Sequence, residues 1–170
     1  MKLKNNLSFD SIIKLYEDEY SVRYSKFVKD ELRNVYSQGL DISKCVNPHL
    51  STDQIREIAR GLEQGLDVTK YNNYLFGPYE MEEIRKGLEA NVDVSHYASL
   101  EFFYDQMREI REGLQKGVDV SKYADPNLDS QCMREIKLSL ESGIDLSRYA
   151  YVGRSHEVLR DMRLAIEEYR

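Results

Sequence analysis

The chain has 170 residues, of which 41% are hydrophobic and 32% are charged, and its formal net charge at pH 7 is −6. That balance is typical of a folded globular chain rather than a disordered one. A mildly acidic chain also lacks the basic face of a non-specific nucleic-acid binder, and no apolar run is long enough to span a membrane. With two cysteines and no secretory leader, we expect a cytoplasmic protein.

The first 24 residues are predicted to form an N-terminal helical cap, a region of its own at 1–24. Ser8 is a favoured residue for starting a helix. Behind it, five apolar residues recur at helical spacing: Phe9, Ile12, Ile13, Tyr16 and Tyr20.

From residue 25 onward, one phrase returns every 26 residues without insertion or deletion. It is written GLDISKC at Gly39, GLDVTKY at Gly65, NVDVSHY at Asn91, GVDVSKY at Gly117 and GIDLSRY at Gly143. A fixed period of this length is typical of a repeat architecture. We therefore predict an all-α solenoid over residues 25–170, with six repeats that start at Ser25, Ser51, Gly77, Phe103, Asp129 and Ser155.

Each repeat is predicted to begin with a helix of about three turns. Ser or Asp, both good N-caps, stands first in four of the six repeats. Ser51 and Gln54 match a capping box, and Pro78 falls at the first helical position. The helix is predicted to end at a Gly or Asn, because these residues accept the left-handed conformation: Gly39, Gly65, Asn91, Gly117 and Gly143.

The buried face of each helix is predicted from apolar residues at i, i+3 and i+7, as at Ile55, Ile58 and Leu62. A glycine precedes the last of these in three repeats: Gly61, Gly87 and Gly113. Glycine inside a helix costs about 1 kcal/mol relative to alanine. Its recurrence predicts that a neighbouring backbone or ring passes close to the helix there.

A short second helix and a connector are predicted to complete each repeat. Asp67 and its equivalents can cap that short helix, with Val94 and Tyr97 on the inner side of one example. One apolar connector residue per repeat is predicted to plug the seam to the next repeat: Leu50, Phe76, Phe102 and Leu128. The chain ends in EEYR, which predicts a polar edge at the last repeat.

The phrases QMREIREGLQKGVDVSKYADP and QIREIARGLEQGLDVTKY resemble a short helical repeat of mobile-element proteins of Gram-positive bacteria, including large polyvalent proteins of conjugative elements. The resemblance covers roughly residues 25–170 and implies a structural or interaction module. Mobile elements of this kind also carry small inhibitors of host defence, such as anti-CRISPR and anti-restriction proteins. The resemblance brings no catalytic or binding residue with it.

Motifs that would carry chemistry are not found in the sequence. His49, His96 and His156 occupy three different positions of the repeat and match no metal-binding spacing. A carboxylate does recur in every repeat, from Glu31 to Asp161. A catalytic site occurs at one place in a chain, whereas this carboxylate occurs in all six repeats. We expect this column to form a ladder of exposed ion pairs with Arg or Lys of neighbouring helices, and we expect no catalytic residue, metal or cofactor.

A binding site is better sought where the repeats differ, because stacking forces only the core positions to recur. Five aromatic residues on or beside the connectors are not required by the repeat: Tyr74, Tyr79, Phe103, Tyr104 and Tyr151. They either fill seams between repeats or form an aromatic strip that binds a protein partner, with Arg154 and His156 at its rim. Phe and Tyr are typical of the centres of protein interfaces.

Three functions remain open on the sequence. The first is a non-catalytic protein-binding module that covers a partner, which the resemblance suggests is a nucleic-acid enzyme of host defence such as a CRISPR effector. The second is a scaffold that joins other mobile-element proteins. The third is a small nuclease-like enzyme with a site at an irregular connector. We expect neither direct nucleic-acid binding nor membrane association.

Overall fold

The computed structural model describes residues 7–151 and 153–170 and is helical, with no strand, over this part of the chain. Residues 1–6 of the predicted cap and Val152 of the last connector lie outside the described residues. The long helices are α1 (Phe9–Glu19), α2 (Lys26–Ser37), α3 (Thr52–Glu63), α4 (Pro78–Glu89), α5 (Tyr104–Gln115), α6 (Ser130–Glu141) and α7 (His156–Glu168). Short 3-10 helices follow α2 to α6: η1 (Ile42–Lys44), η2 (Val68–Lys70), η3 (Val94–His96), η4 (Val120–Lys122) and η5 (Ser147–Tyr149).

Consecutive helices pack against each other, which confirms the predicted all-α, solenoid-like class. The chain forms two compact halves, an N-terminal half that ends at Met81 and a C-terminal half that starts at Glu82, so that the division falls within α4. In the N-terminal half, α1 packs on α2 and α2 packs on α3. In the C-terminal half, α5 packs on α6 and α6 packs on α7.

The predicted helix starts and stops are confirmed. The Ser51 hydroxyl accepts from the Gln54 backbone N–H (3.2 Å), and the Gln54 side chain accepts from the Ser51 N–H (2.8 Å). The five predicted stop residues all have positive φ: Gly39, Gly65, Asn91, Gly117 and Gly143. At the second of these, backbone N–H groups satisfy the last carbonyls of α3, since Leu66 donates to Gly61 at 2.9 Å.

One of the three predicted core columns is fully buried, the second is buried except at its last member, Met162, which is half-buried, and the third is not a buried column. The buried columns contain Ile55, Met81, Met107, Met133 and Leu159, and Leu32, Ile58, Ile84, Ile110 and Ile136. The i+7 prediction was wrong as a buried column, because Leu62, Leu88, Leu114 and Leu140 are half-buried and Tyr36 and Ile166 are exposed. In three repeats, the glycine that precedes this column is buried instead: Gly61, Gly87 and Gly113.

A tyrosine ring explains this shift and confirms the predicted close approach. Tyr71, Tyr97 and Tyr123 are buried, and each hydroxyl donates to a helix carbonyl one turn before a glycine, at 3.2, 3.2 and 3.1 Å. A Cβ atom at Gly61, Gly87 or Gly113 would collide with that hydroxyl. The helix therefore lies against the ring along its glycine.

The first repeat fills the same space differently. Val35 stands at the glycine position and Cys45 at the tyrosine position, and both are buried. A larger residue on the helix is thus matched by a smaller one below it. The exchange of sizes indicates that the two positions share one volume of the core.

The predicted Asp caps of the short helices and the predicted buried residues of the connectors are confirmed. The Asp67 carboxylate accepts from the Thr69 N–H (3.1 Å) and hydroxyl (2.5 Å), and four other Asp residues make the equivalent backbone bond: Asp41, Asp93, Asp119 and Asp145. The predicted plugs are all buried: Leu50, Phe76, Phe102 and Leu128.

The carboxylate ladder is present; its Glu31–Arg56 pair is partly exposed, with the Arg56 side chain 48% exposed, but three later pairs are buried rather than exposed as predicted. In the C-terminal half, Glu83 lies 2.8 Å from Arg111, Glu109 lies 2.7 Å from Lys137, and Glu135 lies 3.0 Å from Arg163. All six side chains are at most 13% exposed. The long aliphatic stems of Lys and Arg allow such burial, which composition alone does not reveal.

The N-terminal helix packs as a cap. Phe9, Ile12, Ile13 and Tyr16 are buried, whereas Tyr20 is exposed because α1 ends at Glu19. The Tyr20 prediction was therefore wrong. An ion pair from Arg33 to Asp10 (2.9 Å) joins α2 to this cap.

One buried carboxylate of the cap makes the fold sensitive to acid. Glu17 accepts from Lys29 and from the Tyr24 backbone N–H, both at 2.9 Å. The hydrogen bond from Lys29 lowers the pKa of Glu17 more than burial raises it. Since the folded-state pKa lies below the unfolded value of about 4.3, Glu17 stabilises the fold above that value, and this contribution is lost as pH falls through the lower, folded pKa.

We therefore expect Glu17→Gln to lower the free energy of unfolding at pH 7, and to lower it less as the pH falls below the unfolded pKa of about 4.3. Urea unfolding of both proteins across this pH range measures the difference. Asp18→Asn is the matched control, since Asp18 is the neighbouring residue and its side chain is 55% exposed. A Glu17→Gln penalty that stays constant with pH would contradict the role given to this carboxylate.

The last helix does not end the array with the polar edge that the sequence predicted. Val158, Leu164, Ile166 and Tyr169 of the α7 region are exposed. Leu159 is fully buried against the rest of the C-terminal half. The α7 helix therefore has an exposed apolar flank, although the chain ends in the mostly polar sequence EEYR.

Candidate protein-binding surface on the connectors

The connector between η2 and α4 is a fixed platform. The Gln54 amide of α3 donates to the backbone carbonyls of Tyr74 (3.0 Å) and Phe76 (2.5 Å). The Asn73 side chain accepts from the Leu75 N–H (3.1 Å), and the Phe76 ring is buried below. With the backbone held at several points, the remaining side chains of this connector project from a rigid base.

Three large apolar side chains are exposed on this platform in the N-terminal half: Tyr74, Leu75 and Tyr79. Tyr79, in the first turn of α4, is 64% exposed. The Tyr74 ring lies 4.9 Å from the ring of His49, which belongs to the preceding connector. The group of Tyr74, Leu75 and Tyr79 is called the first aromatic group below.

The next connector carries a similar set in the C-terminal half. Leu100, Phe103 and Tyr104 are exposed, and Phe103 is 71% exposed although it stands at the N-cap position of α5. Its side chain cannot cap the helix, and the Gln106 side chain accepts from the Phe103 N–H instead, at 2.9 Å. The Arg108 guanidinium lies 5.6 Å from the centre of the Tyr104 ring. Leu100, Phe103 and Tyr104 form the second aromatic group.

The predicted rim residues lie at the connector before α7. The Arg154 guanidinium stacks on the Tyr151 ring at 4.6 Å, and the Arg154 N–H donates to the Tyr151 carbonyl at 2.9 Å. Tyr151 is exposed, whereas Arg154 and His156 are half-buried. Arg154 takes the connector position at which the earlier repeats have a buried Leu or Phe plug, and its Nε atom is buried.

The structure thus brings the predicted residues together in three sets. All five aromatic side chains are exposed, from 39% at Tyr104 to 71% at Phe103, which favours the binding interpretation over seam filling. Whether the three sets form one continuous strip stays a prediction. Leu75 and Leu100 were missed because only aromatic residues were compared. Leu75 stands where other repeats have His, Glu, Asn or Gly, and Leu100 stands at the position that Tyr74 has in the preceding repeat.

Acidic residues lie beside the second aromatic group. Glu101 is exposed and Asp105 is half-buried. Asp105 accepts from the Ser130 hydroxyl at 2.8 Å. An apolar centre with an acidic border is complementary to an apolar patch with a basic border on a partner.

The other features that could carry chemistry are the two cysteines, one cleft and the possible metal-ligand side chains. Burial raises the pKa of both thiols, Cys45 and Cys132, to about 12, so that neither is a ready nucleophile. One cleft, lined in part by Ile12, Tyr16 and Ile42, lies beside α1. In residues 7–151 and 153–170, no three His, Cys, Asp or Glu side chains are grouped so that they could hold a metal ion.

These features define a helical-repeat protein with exposed apolar side chains on rigid connectors. The chain matches no protein-family model, and comparisons with curated proteins and with solved structures find no similar protein. No helix in the described part of the chain combines the length and the apolar character that crossing a membrane requires.

Proposed function

We propose that this chain is a non-catalytic protein-binding module that covers part of a partner's surface with its connectors. The observation that carries the proposal is the exposure of Tyr74, Tyr79, Phe103, Tyr104 and Tyr151 at positions where the repeat does not require an aromatic residue. Exposed aromatic residues on a rigid base lose little conformational entropy on binding and are frequent energetic centres of interfaces.

The proposal includes a class of partner, a nucleic-acid enzyme of host defence such as a CRISPR effector. Its main support is the resemblance of the repeat to mobile-element proteins. The net charge of −6 and the acidic residues beside the second aromatic group are consistent with it, because such enzymes present basic surfaces to phosphates. Two free, buried thiols fit the reducing cytoplasm that this role requires.

The test compares the wild-type chain with a variant in which Tyr74, Tyr79 and Tyr104 are all changed to Ala. Both are used as bait in a bacterial lysate, the stoichiometric partner is identified, and its affinity is then measured with purified proteins. Hot-spot aromatic residues contribute about 2 kcal/mol or more each, so we expect the triple variant to bind at least about 100-fold more weakly.

A matched control changes Leu15 and Tyr20 to Ala, since these side chains are also exposed but lie on the α1 cap. The control should retain wild-type affinity, and far-UV circular dichroism should show that both variants are folded. Equal binding by the triple variant and the wild type would contradict the proposal.

Activity assays on the captured partner separate the three functions. An inhibitor should stop nucleic-acid cleavage by its partner at saturation, and the triple variant should not. A scaffold should bind with the same residues and leave the partner's activity unchanged. Cleavage by the chain alone that a chelator abolishes, and that the triple variant retains, would indicate an enzyme instead.

A further inference from the structure

The α7 helix exposes a flank that the preceding helix of the C-terminal half buries. Its apolar stripe has the spacing i, i+4, i+7 and i+11: Val158, Met162, Ala165 and Tyr169. Val158 is 39% and Tyr169 is 89% exposed. The residues 26 positions earlier in the α6 repeat include Cys132, Ile136 and Ser139, which are at most 1% exposed.

The packing of α7 on α6 shows what kind of element covers such a flank. The covering helix contributes a buried apolar residue, Leu159, and a basic residue four positions later, Arg163. Arg163 binds Glu135, the ladder carboxylate of α6, at 3.0 Å. In α6 itself, Met133 and Lys137 have the same spacing, and Lys137 reaches Glu109 of α5 at 2.7 Å.

The α7 helix offers the complementary half of this arrangement. Its ladder carboxylate, Asp161, is 73% exposed and lies 3.7 Å from the guanidinium of the adjacent Arg160. Glu157 and Glu168 are exposed as well. The flank therefore combines an apolar stripe with an acidic border, whereas a second α7 in antiparallel contact would place Asp161 near an acidic residue of the other copy.

We propose that the α7 flank is a docking site for an amphipathic helix of a partner protein that places one basic residue opposite Asp161, with the pattern apolar-x-x-apolar-basic that MREIR and MREIK show at residues 107–111 and 133–137. The basic residue binds Asp161, and the two apolar residues cover the stripe. This site is distinct from the connector aromatics, and it extends an interface that already recurs within the C-terminal half.

The test uses a labelled synthetic peptide with the sequence of residues 119–142, which supplies a short helix, a connector and a helix with Lys137. Fluorescence anisotropy with the full chain should show saturable binding. The host change Asp161→Lys, or the peptide change Lys137→Glu, should weaken binding by about tenfold or more. Combining both changes should restore it, because the charges are then exchanged. Host Met162→Lys should abolish binding.

A tethered form makes the test independent of weak affinity. The same 24-residue sequence is fused after Arg170, where it keeps the 26-residue register, and hydrogen exchange of α7 is measured. Slower exchange of α7 amides, lost with Asp161→Lys, is the expected result. The proposal is overturned if α7 stays unprotected in the fusion, if the charge exchange fails to restore binding, or if the wild-type chain alone forms a dimer that Met162→Lys dissolves.

Discussion

Gly113→Ala should lower the free energy of unfolding, although alanine is the better helix former. Alanine gains about 1 kcal/mol in helix propensity. Its Cβ would collide with the Tyr123 hydroxyl, which adds about 1–3 kcal/mol for overpacking and about 1–3 kcal/mol for a displaced buried hydrogen bond to the Glu109 carbonyl. We expect a net loss of about 2–3 kcal/mol, measured by urea unfolding.

A double-mutant cycle assigns the loss to the ring. Tyr123→Phe removes the hydroxyl, and the Tyr123 ring carbon next to it would lie 3.2 Å from the new Cβ, a distance that small shifts can relieve. The double variant should therefore be more stable than the sum of the single changes predicts, by about 1 kcal/mol or more. Gln115→Ala, at an exposed position of the same helix, should change stability by about 0.5 kcal/mol at most. A stabilised Gly113→Ala protein would contradict the packing described.

Lys137→Met should be the most damaging single change in the ladder. The Lys137 side chain is 4% exposed and binds Glu109 (2.7 Å) and Glu112 (2.5 Å). Burial alone would lower the pKa of Lys137, but the two carboxylates outweigh burial and hold that pKa above its ordinary value. Removing the ammonium leaves Glu109 buried without its counter-charge, for which about 3–5 kcal/mol is typical.

The ladder prediction is checked by restoring neutrality. Adding Glu109→Gln and Glu112→Gln to Lys137→Met should recover most of the lost free energy of unfolding, because no uncompensated charge then remains. Lys122→Met is the matched control. Its ammonium pairs with Asp145 at 3.3 Å with both side chains more than 40% exposed, so the cost should be about 0–1 kcal/mol. Equal costs for Lys137→Met and Lys122→Met would show that burial of the ladder is unimportant.

Helix positions were predictable because local chemistry decides them. A left-handed residue such as Gly65 ends a helix by its own conformational preference, and the Ser51–Gln54 pair starts one through contacts three residues apart. A close contact at Gly61 was predictable, because a glycine that recurs inside a helix despite its low helix propensity indicates that a neighbouring group passes close to it. Its partner, Tyr71, is ten residues away and became clear only from the fold.

The errors arise where burial depends on a neighbouring element. Helical periodicity does not distinguish a face that includes Gly61 from one that includes Leu62, because the two residues lie about 100° apart around the helix axis and an apolar stripe is itself about that wide. The ladder was expected to be exposed because its residues are charged, and the aliphatic stem of Lys137 was overlooked. A polar edge was predicted from the terminal residues EEYR, but the exposure of the apolar residues of α7 depends on what packs against that helix.

The candidate site was predictable to the extent that repeats can be compared position by position. That comparison isolates residues such as Tyr79 and Phe103, because stacking does not demand them. It gives no information on whether a side chain points outward, which depends on how Gln54 and Phe76 fix the connector backbone. Exposure therefore had to come from the structure.

Hydroxyl-radical footprinting of the purified complex with the captured partner tests the proposed function most directly. We predict that oxidation of Tyr74, Tyr79, Phe103 and Tyr104 falls several-fold on complex formation, while oxidation of Tyr20 on the α1 cap does not change. Unchanged oxidation at the connectors, with protection elsewhere on the chain, would contradict the assignment of the connectors as the binding surface.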